Sequence, residues 1–201
     1  MVLPKLREIK EALGSFFSAP YTTKFPFQPA DKRPEGFRGK PRYHEDVCVG
    51  CGACAEVCPA NAITITDDKK KKLRTLEVDY VHCMNCGQCE EKCITETGIT
   101  LTAEYSLVLL DLKSPDRLES VQKEIVICES CGAVIGCRDH LSWIRKKLGA
   151  KAYAHPNLLL SFQKDLEDVE SYPVKSRIRR EDQIKEVCSK CRYQIVVEDE
   201  F

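Results

Sequence analysis

Residues 48–64 read CVGCGACAEVCPANAIT, and residues 83–102 read CMNCGQCEEKCITETGITLT. Each stretch places its cysteines as C-x2-C-x2-C-x3-C, and Cys83, Cys86, Cys89 and Cys93 repeat Cys48, Cys51, Cys54 and Cys58 at an offset of 35. Each half then enters a β-rich run, AITIT at 62–66 and GITLT at 98–102. Between the halves, DDKKKKLR reads as a hairpin tip and TLEVDY as the returning strand. The lysine run suits a solvated turn, with an electrostatic landing site for an acidic partner as the other reading.

Composition sets the context. Thirteen cysteines stand among 201 residues, and 31 basic residues balance 31 acidic ones. A neutral chain argues against a general nucleic-acid binder, which is basic on the scale of a domain. No run of apolar residues reaches membrane-spanning length. Charges interrupt the opening MVLPKLREIKEALGSFF, which speaks against a secretory signal. In the cytosolic compartment expected on these grounds thiols stay reduced, so tight cysteine triplets and pairs read as metal ligands and not as bridges.

A cubane iron–sulfur cluster needs four soft thiolates around a compact inorganic core. C-x2-C-x2-C lets one short loop wrap three corners, and Gly50, Gly52, Ala53 and Gly87 let the backbone approach the sulfur. In two-cluster ferredoxins the fourth cysteine serves the other cluster. Applied to these residues, cluster 1 takes Cys48, Cys51, Cys54 and Cys93, and cluster 2 takes Cys83, Cys86, Cys89 and Cys58. Both are expected to be [4Fe–4S]. The second half departs from the pattern twice: Ile94 replaces the proline found at Pro59, and one extra residue precedes Ile99. No nucleophile or acid–base pair accompanies the repeat, so its chemistry is electron relay.

The flanks differ in character. Leu3, Leu6, Ile9, Leu13, Phe16 and Phe17 recur at helical spacing over 1–17. Residues 18–46 hold Pro20, Pro26, Pro29, Pro34 and Pro41, too many for a helix, and read as an extended arm. Beyond 104, RDHLSWIRKKLG at 138–149 and NLLLSFQKDLEDVESY at 157–172 read as helices, the second stopped by Pro173. Cys128, Cys131, Cys188 and Cys191 form two CxxC pairs suited to a tetrahedral site, zinc ahead of a single iron. Unmetallated thiols are the competing reading. Cys137 is the leftover cysteine, read as a buried small hydrophobe, and His140 and His155 as ordinary helix or surface histidines.

SFFSAPYTTKFPF, FRGKPRYHEDVCVGCGACAEVCPANAITI and VDYVHCMNCGQCEEKC together resemble the dicluster ferredoxin-type subunit of complex I and its equivalent in membrane-bound [NiFe] hydrogenases, formate hydrogenlyases and related archaeal respiratory complexes. The resemblance implies an electron carrier between a soluble ferredoxin-like donor, or a donor module, and a hydrogenase-like core. Its implied partners are small-subunit-like and large-subunit-like proteins on the cytoplasmic face of an ion-pumping membrane complex. A free soluble ferredoxin with an accessory metal domain is the alternative, and a zinc-dependent adaptor a third reading. The expected fold is α+β. A two-cluster ferredoxin-like domain at 47–104 follows a helix and docking arm at 1–46. A small metal-binding α+β region of zinc-ribbon or rubredoxin-like type occupies 105–201.

Overall fold

The computed structural model describes residues 5–19, 22, 34, 36–104, 109, 111–166 and 185–198. Residues 1–36 and 37–201 form two separate compact units. In the first, α1 (Leu6–Phe17) follows the expected helical spacing, and Glu8 accepts the Lys5 backbone N–H at 3.0 Å. None of its residues is buried. Residues 20, 21, 23–33 and 35 of the proline-rich arm, and the end of the helix expected at 157–172, lie outside the described residues.

In the second unit the sequence repeat becomes a structural one. β1 (Pro41–Tyr43), α2 (Ala53–Glu56) and β2 (Ile63–Asp68) make the first half. β3 (Leu73–Asp79), α3 (Gln88–Glu91) and β4 (Ile99–Leu101) make the second. The offset of 35 is kept bond for bond. The His44 carbonyl accepts from Val47 and Cys48, as the Asp79 carbonyl accepts from His82 and Cys83. Positive φ occurs at Gly50 and Asn85, at Gly52 and Gly87, and at Asn61 and Glu96. The extra residue of the second half therefore enters after Glu96, just ahead of β4.

Strand pairing exchanges between the halves. β1 pairs with β4, and β2 with β3, both antiparallel. Each half so supplies the strand that completes the other. The Tyr80 hydroxyl, donating to the Pro41 carbonyl at 2.8 Å in the interior, adds a further tie. Ile63, Leu76, Val78, Tyr80, Ile99 and Val121 are buried together beneath the cysteine loops.

The β2–β3 hairpin does not end the sheet. β5 (Leu118–Ile127) pairs along the whole of β3, and β6 (Val134–Cys137) pairs with β5, giving the order β2-β3-β5-β6. Hydrogen bonding thus runs across position 104. α4 (Arg138–Leu148) and α5 (Pro156–Leu166) pack over Val126 with Leu141, Ala152 and Leu158. α4 stops at Gly149, whose φ of 57° ends the helix. α6 (Ser189–Glu198) closes a small core of Val187, Cys128 and Cys191.

Candidate functional site

The first two cysteines of each triplet stand in a loop, one before α2 and one before α3, and the third, Cys54 or Cys89, lies in the first turn of the helix. Gly52 and Gly87 cap these helices at φ of 84° and 83°, a left-handed conformation that an L side chain adopts only with strain. Cys58 and Cys93 follow the short helices. Cys58 lines one cavity with Cys83, Cys86 and Cys89, closed further by Ala62 and Met84. Gly98 stands between Cys93 and Cys48: a Cβ there would lie 3.1 Å from the Cys93 Sγ and 3.3 Å from the Cys48 Cα.

The eight thiols are spread too widely for single ions. Among the described residues, Cys128, Cys131, Cys188 and Cys191 are the one group of three or more His, Cys, Asp or Glu whose ligand atoms all lie within 4.8 Å of one another. A larger inorganic core suits the other eight. Their electrostatics suit it too. Burial pushes Cys54 and Cys89 up to about 11 each and raises Cys48 and Cys83. Cys93 moves the other way. Burial there is outweighed by the Thr95 hydroxyl and by the N–H groups of Thr95, Gly98 and Ile99, which hold it below the usual thiol value. Thiolates in such positions persist when a metal supplies the missing positive charge.

Side chains outside the motifs also reach the loops. The Tyr43 hydroxyl lies 3.6 Å from the Cys54 Sγ, and burial raises its pKa. Arg74 donates to the Gly50 carbonyl at 3.2 Å, and Arg38 to the Cys86 carbonyl at 3.2 Å. Cys137 is fully buried, with its Sγ 3.3 Å from the Gly50 carbonyl. Buried Lys123 donates to the Glu45 carbonyl at 2.6 Å. The motif reading missed Lys123, though LESVQKEIVI alternates so that Val121, Lys123 and Ile125 share one face.

The remaining four cysteines form a compact centre. Cys128 and Cys131 occupy the turn between β5 and β6, and Cys188 and Cys191 the start of α6. The Cys131 and Cys188 Sγ atoms are 3.7 Å apart. Metal–sulfur bonds of about 2.3 Å put the corners of a zinc tetrahedron about 3.8 Å apart, so the separation fits. Backbone N–H groups of Cys131 and Cys191 point at the Cys128 and Cys188 sulfurs, 3.5 Å away in each knuckle. Although burial opposes it, these and neighbouring N–H groups bring Cys128 down to about 6, and they lower Cys188. Cys191, drawn into hydrogen bonds with Cys131 and Cys188, is pushed up to about 12. The donor set of four sulfurs fits zinc or a single iron. His155 is exposed, and neither it nor His140 belongs to the group.

The family model for a 4Fe-4S dicluster domain matches residues 47–97. NADH-quinone oxidoreductase subunit I 2 of Geobacter metallireducens is 31% identical over 118 residues, which cover 53% of this chain and 86% of that protein. NAD(P)H-quinone oxidoreductase subunit I of Gloeobacter violaceus is 30% identical over 119 residues, 55% of this chain and 56% of that one. Formate hydrogenlyase subunit 6 of Escherichia coli is 37% identical over 112 residues, 55% of this chain and 59% of that one. The chain thus spans little more than half the length of these last two relatives.

Proposed function

The chain belongs to the NADH-quinone oxidoreductase subunit I family, and we propose that it is the electron-relay subunit of a membrane-bound, ion-pumping oxidoreductase complex. The observation that carries the reading is the doubled cysteine loop, matched as a dicluster domain and kept in register over 35 residues. Two [4Fe–4S] clusters would supply one-electron chemistry. Cys48, Cys51, Cys54 and Cys93 would hold one, and Cys83, Cys86, Cys89 and Cys58 the other. The cavity shared by Cys58 with the second triplet, and the approach of Cys93 to Cys48 at Gly98, support that assignment. The chain's own residues do the rest. Glycines at positive φ let the loops close, and Tyr43, Thr95 and backbone N–H groups bond the sulfurs.

A soluble ferredoxin-like protein is the proposed donor, and a hydrogenase-like core the proposed acceptor, in line with the likeness to formate hydrogenlyase subunit 6. Among the described residues no helix is long and apolar enough to cross a membrane. The subunit is assigned to the cytoplasmic face. Leu6, Leu13, Phe16 and Phe17 of α1, all more than half exposed, would dock on neighbouring subunits or the membrane surface. On this proposal 1–46 serve docking up to β1, 47–104 serve electron transfer with β1 and β5 completing their sheets, and 105–201 hold the structural metal at Cys128, Cys131, Cys188 and Cys191, zinc ahead of iron.

Anaerobic purification with metal and sulfide analysis tests the chemistry. About eight iron atoms per chain are expected from two four-iron sites, with one zinc or further iron. About four iron atoms would overturn the two-cluster reading. Cys58→Ser should cost the second cluster's EPR signal and keep the first; the reverse loss refutes the crossed ligation. Isolation as a soluble monomer from native membranes and cytosol would favour a free ferredoxin.

A further inference from the structure

The loop from Glu45 to Gly52 rests on a row of charges. Across the sheet, Asp67 on β2 faces Arg74 on β3, and Arg74 faces Lys123 on β5. Asp139 follows β6 and completes the row through Lys123, at 2.9 Å. The order is acid, base, base, acid. Arg74 grips Asp67 with two bonds, of 2.7 and 2.9 Å, and gives its third to the Gly50 carbonyl. Lys123 gives one bond to Asp139 and one to the Glu45 carbonyl.

Such an arrangement costs stability. Like charges directly opposite on paired strands repel, and lysine is rarely buried. Lys123 is 9% exposed, the one buried lysine among the described residues. The flanking carboxylates offset the repulsion, but within the row it is the two cations that donate to the loop. Lys123 also packs against Gly50, where a Cβ would lie 3.0 Å from its own Cβ, so the cation lies along the loop that carries Cys48 and Cys51. The other loop is served differently. Its cation, Arg38, is exposed, and no buried lysine accompanies it.

An electron arriving on a cluster adds negative charge, and a cation at short, part-buried range favours the reduced form. We propose that Lys123 sets cluster 1 above cluster 2 in reduction potential, so that an electron entering the pair comes to rest on the cluster held against β5. The inference rests on the two-cluster reading above.

The test is a potentiometric EPR titration of the anaerobically purified full chain, with the two signals assigned through Cys58→Ser. Lys123→Met should lower the cluster 1 midpoint and move the electron distribution toward cluster 2 by about tenfold, which is about 59 mV for a one-electron couple. Cluster 2 should hold its midpoint. Asp139→Asn leaves the lysine charge uncompensated and should move cluster 1 the opposite way. If Lys123→Met does not assemble, the direction of the Asp139→Asn shift decides alone. Unchanged midpoints with both signals intact overturn the proposal. So does a shift in the same direction for both variants, or a shift shared by both clusters, because general loosening would cause either. Failure of the wild-type chain to show two signals would refute the two-cluster reading instead.

Discussion

Lys164 shows how a single residue holds the C-terminal region together. Its Nζ meets Glu129 at 2.8 Å and Glu186 at 2.9 Å, and the Glu186 side chain is only 6% exposed. Burial works against the ammonium, but the bonds to the two glutamates outweigh it and hold Lys164 above the usual lysine value. A raised folded pKa contributes stability that is complete below the unfolded value of about 10.4 and is lost as pH rises through the folded one. Lys164→Met should cost roughly 3 kcal/mol near neutrality, the lower end for breaking a buried pair because Lys164 is a quarter exposed, since it strands a buried carboxylate. In anaerobic thermal unfolding followed by circular dichroism, the gap to wild type should close above pH ~10.4. A gap constant to pH 11 would count against the ion pair as its cause. None of this was legible in the sequence. Lys164 sits in an amphipathic pattern that reads as solvated face, and Glu186 lies 57 residues along the chain from its other neighbour, Glu129.

At the scale of elements, the two cysteine loops were legible to the residue, because ligand spacing constrains local backbone and leaves a pattern in the chain. What the pattern did not disclose is why the halves differ. Asn85 holds in the second loop the left-handed position that Gly50 holds in the first, at φ of 52° and 69°. Asparagine tolerates that region, but at Gly50 a Cβ would lie 2.7 Å from the Cys137 Sγ. The strand β6 therefore forbids in one loop what the other accepts. Asn85→Gly should change stability by less than about 1 kcal/mol, whereas Gly50→Asn should displace Cys137 and reduce the iron bound per chain. Equal iron content in the two variants would show that β6 does not press on the loop. Cys137 itself was read correctly as a buried residue, but its contact with Gly50, 87 residues away, left no local pattern to read. The pairing of β5 with β3 was missed for a related reason: it joins residues about 45 apart, and local alternation says that a strand exists without saying beside what.

Over the whole molecule, the four-cysteine centre joins parts that the chain keeps distant. It fastens α6 to the β5–β6 turn through Cys188 and Cys191, and the same turn leads by β5 to Lys123 and by β6 to Cys137. Removing the metal proposed for this centre, by chelation or Cys188→Ser, should speed hydrogen exchange in 185–198 and around 127–134, where Val187 loses its cover. The iron of the two cluster loops should stay at about eight atoms, since none of their ligands lies in that core. Parallel loss of that iron would mean the sheet cannot stand without its far clasp. The exchanged strands of the repeat carry a consequence for biosynthesis. β1 waits for β4, and Cys48 stands beside Cys93, so the first half has no finished cradle while it alone has left the ribosome. On the crossed ligation proposed above, cofactor loading waits until Leu101 has left the ribosome. A chain arrested earlier would offer half-built thiol loops to whatever metal or oxidant reached them first.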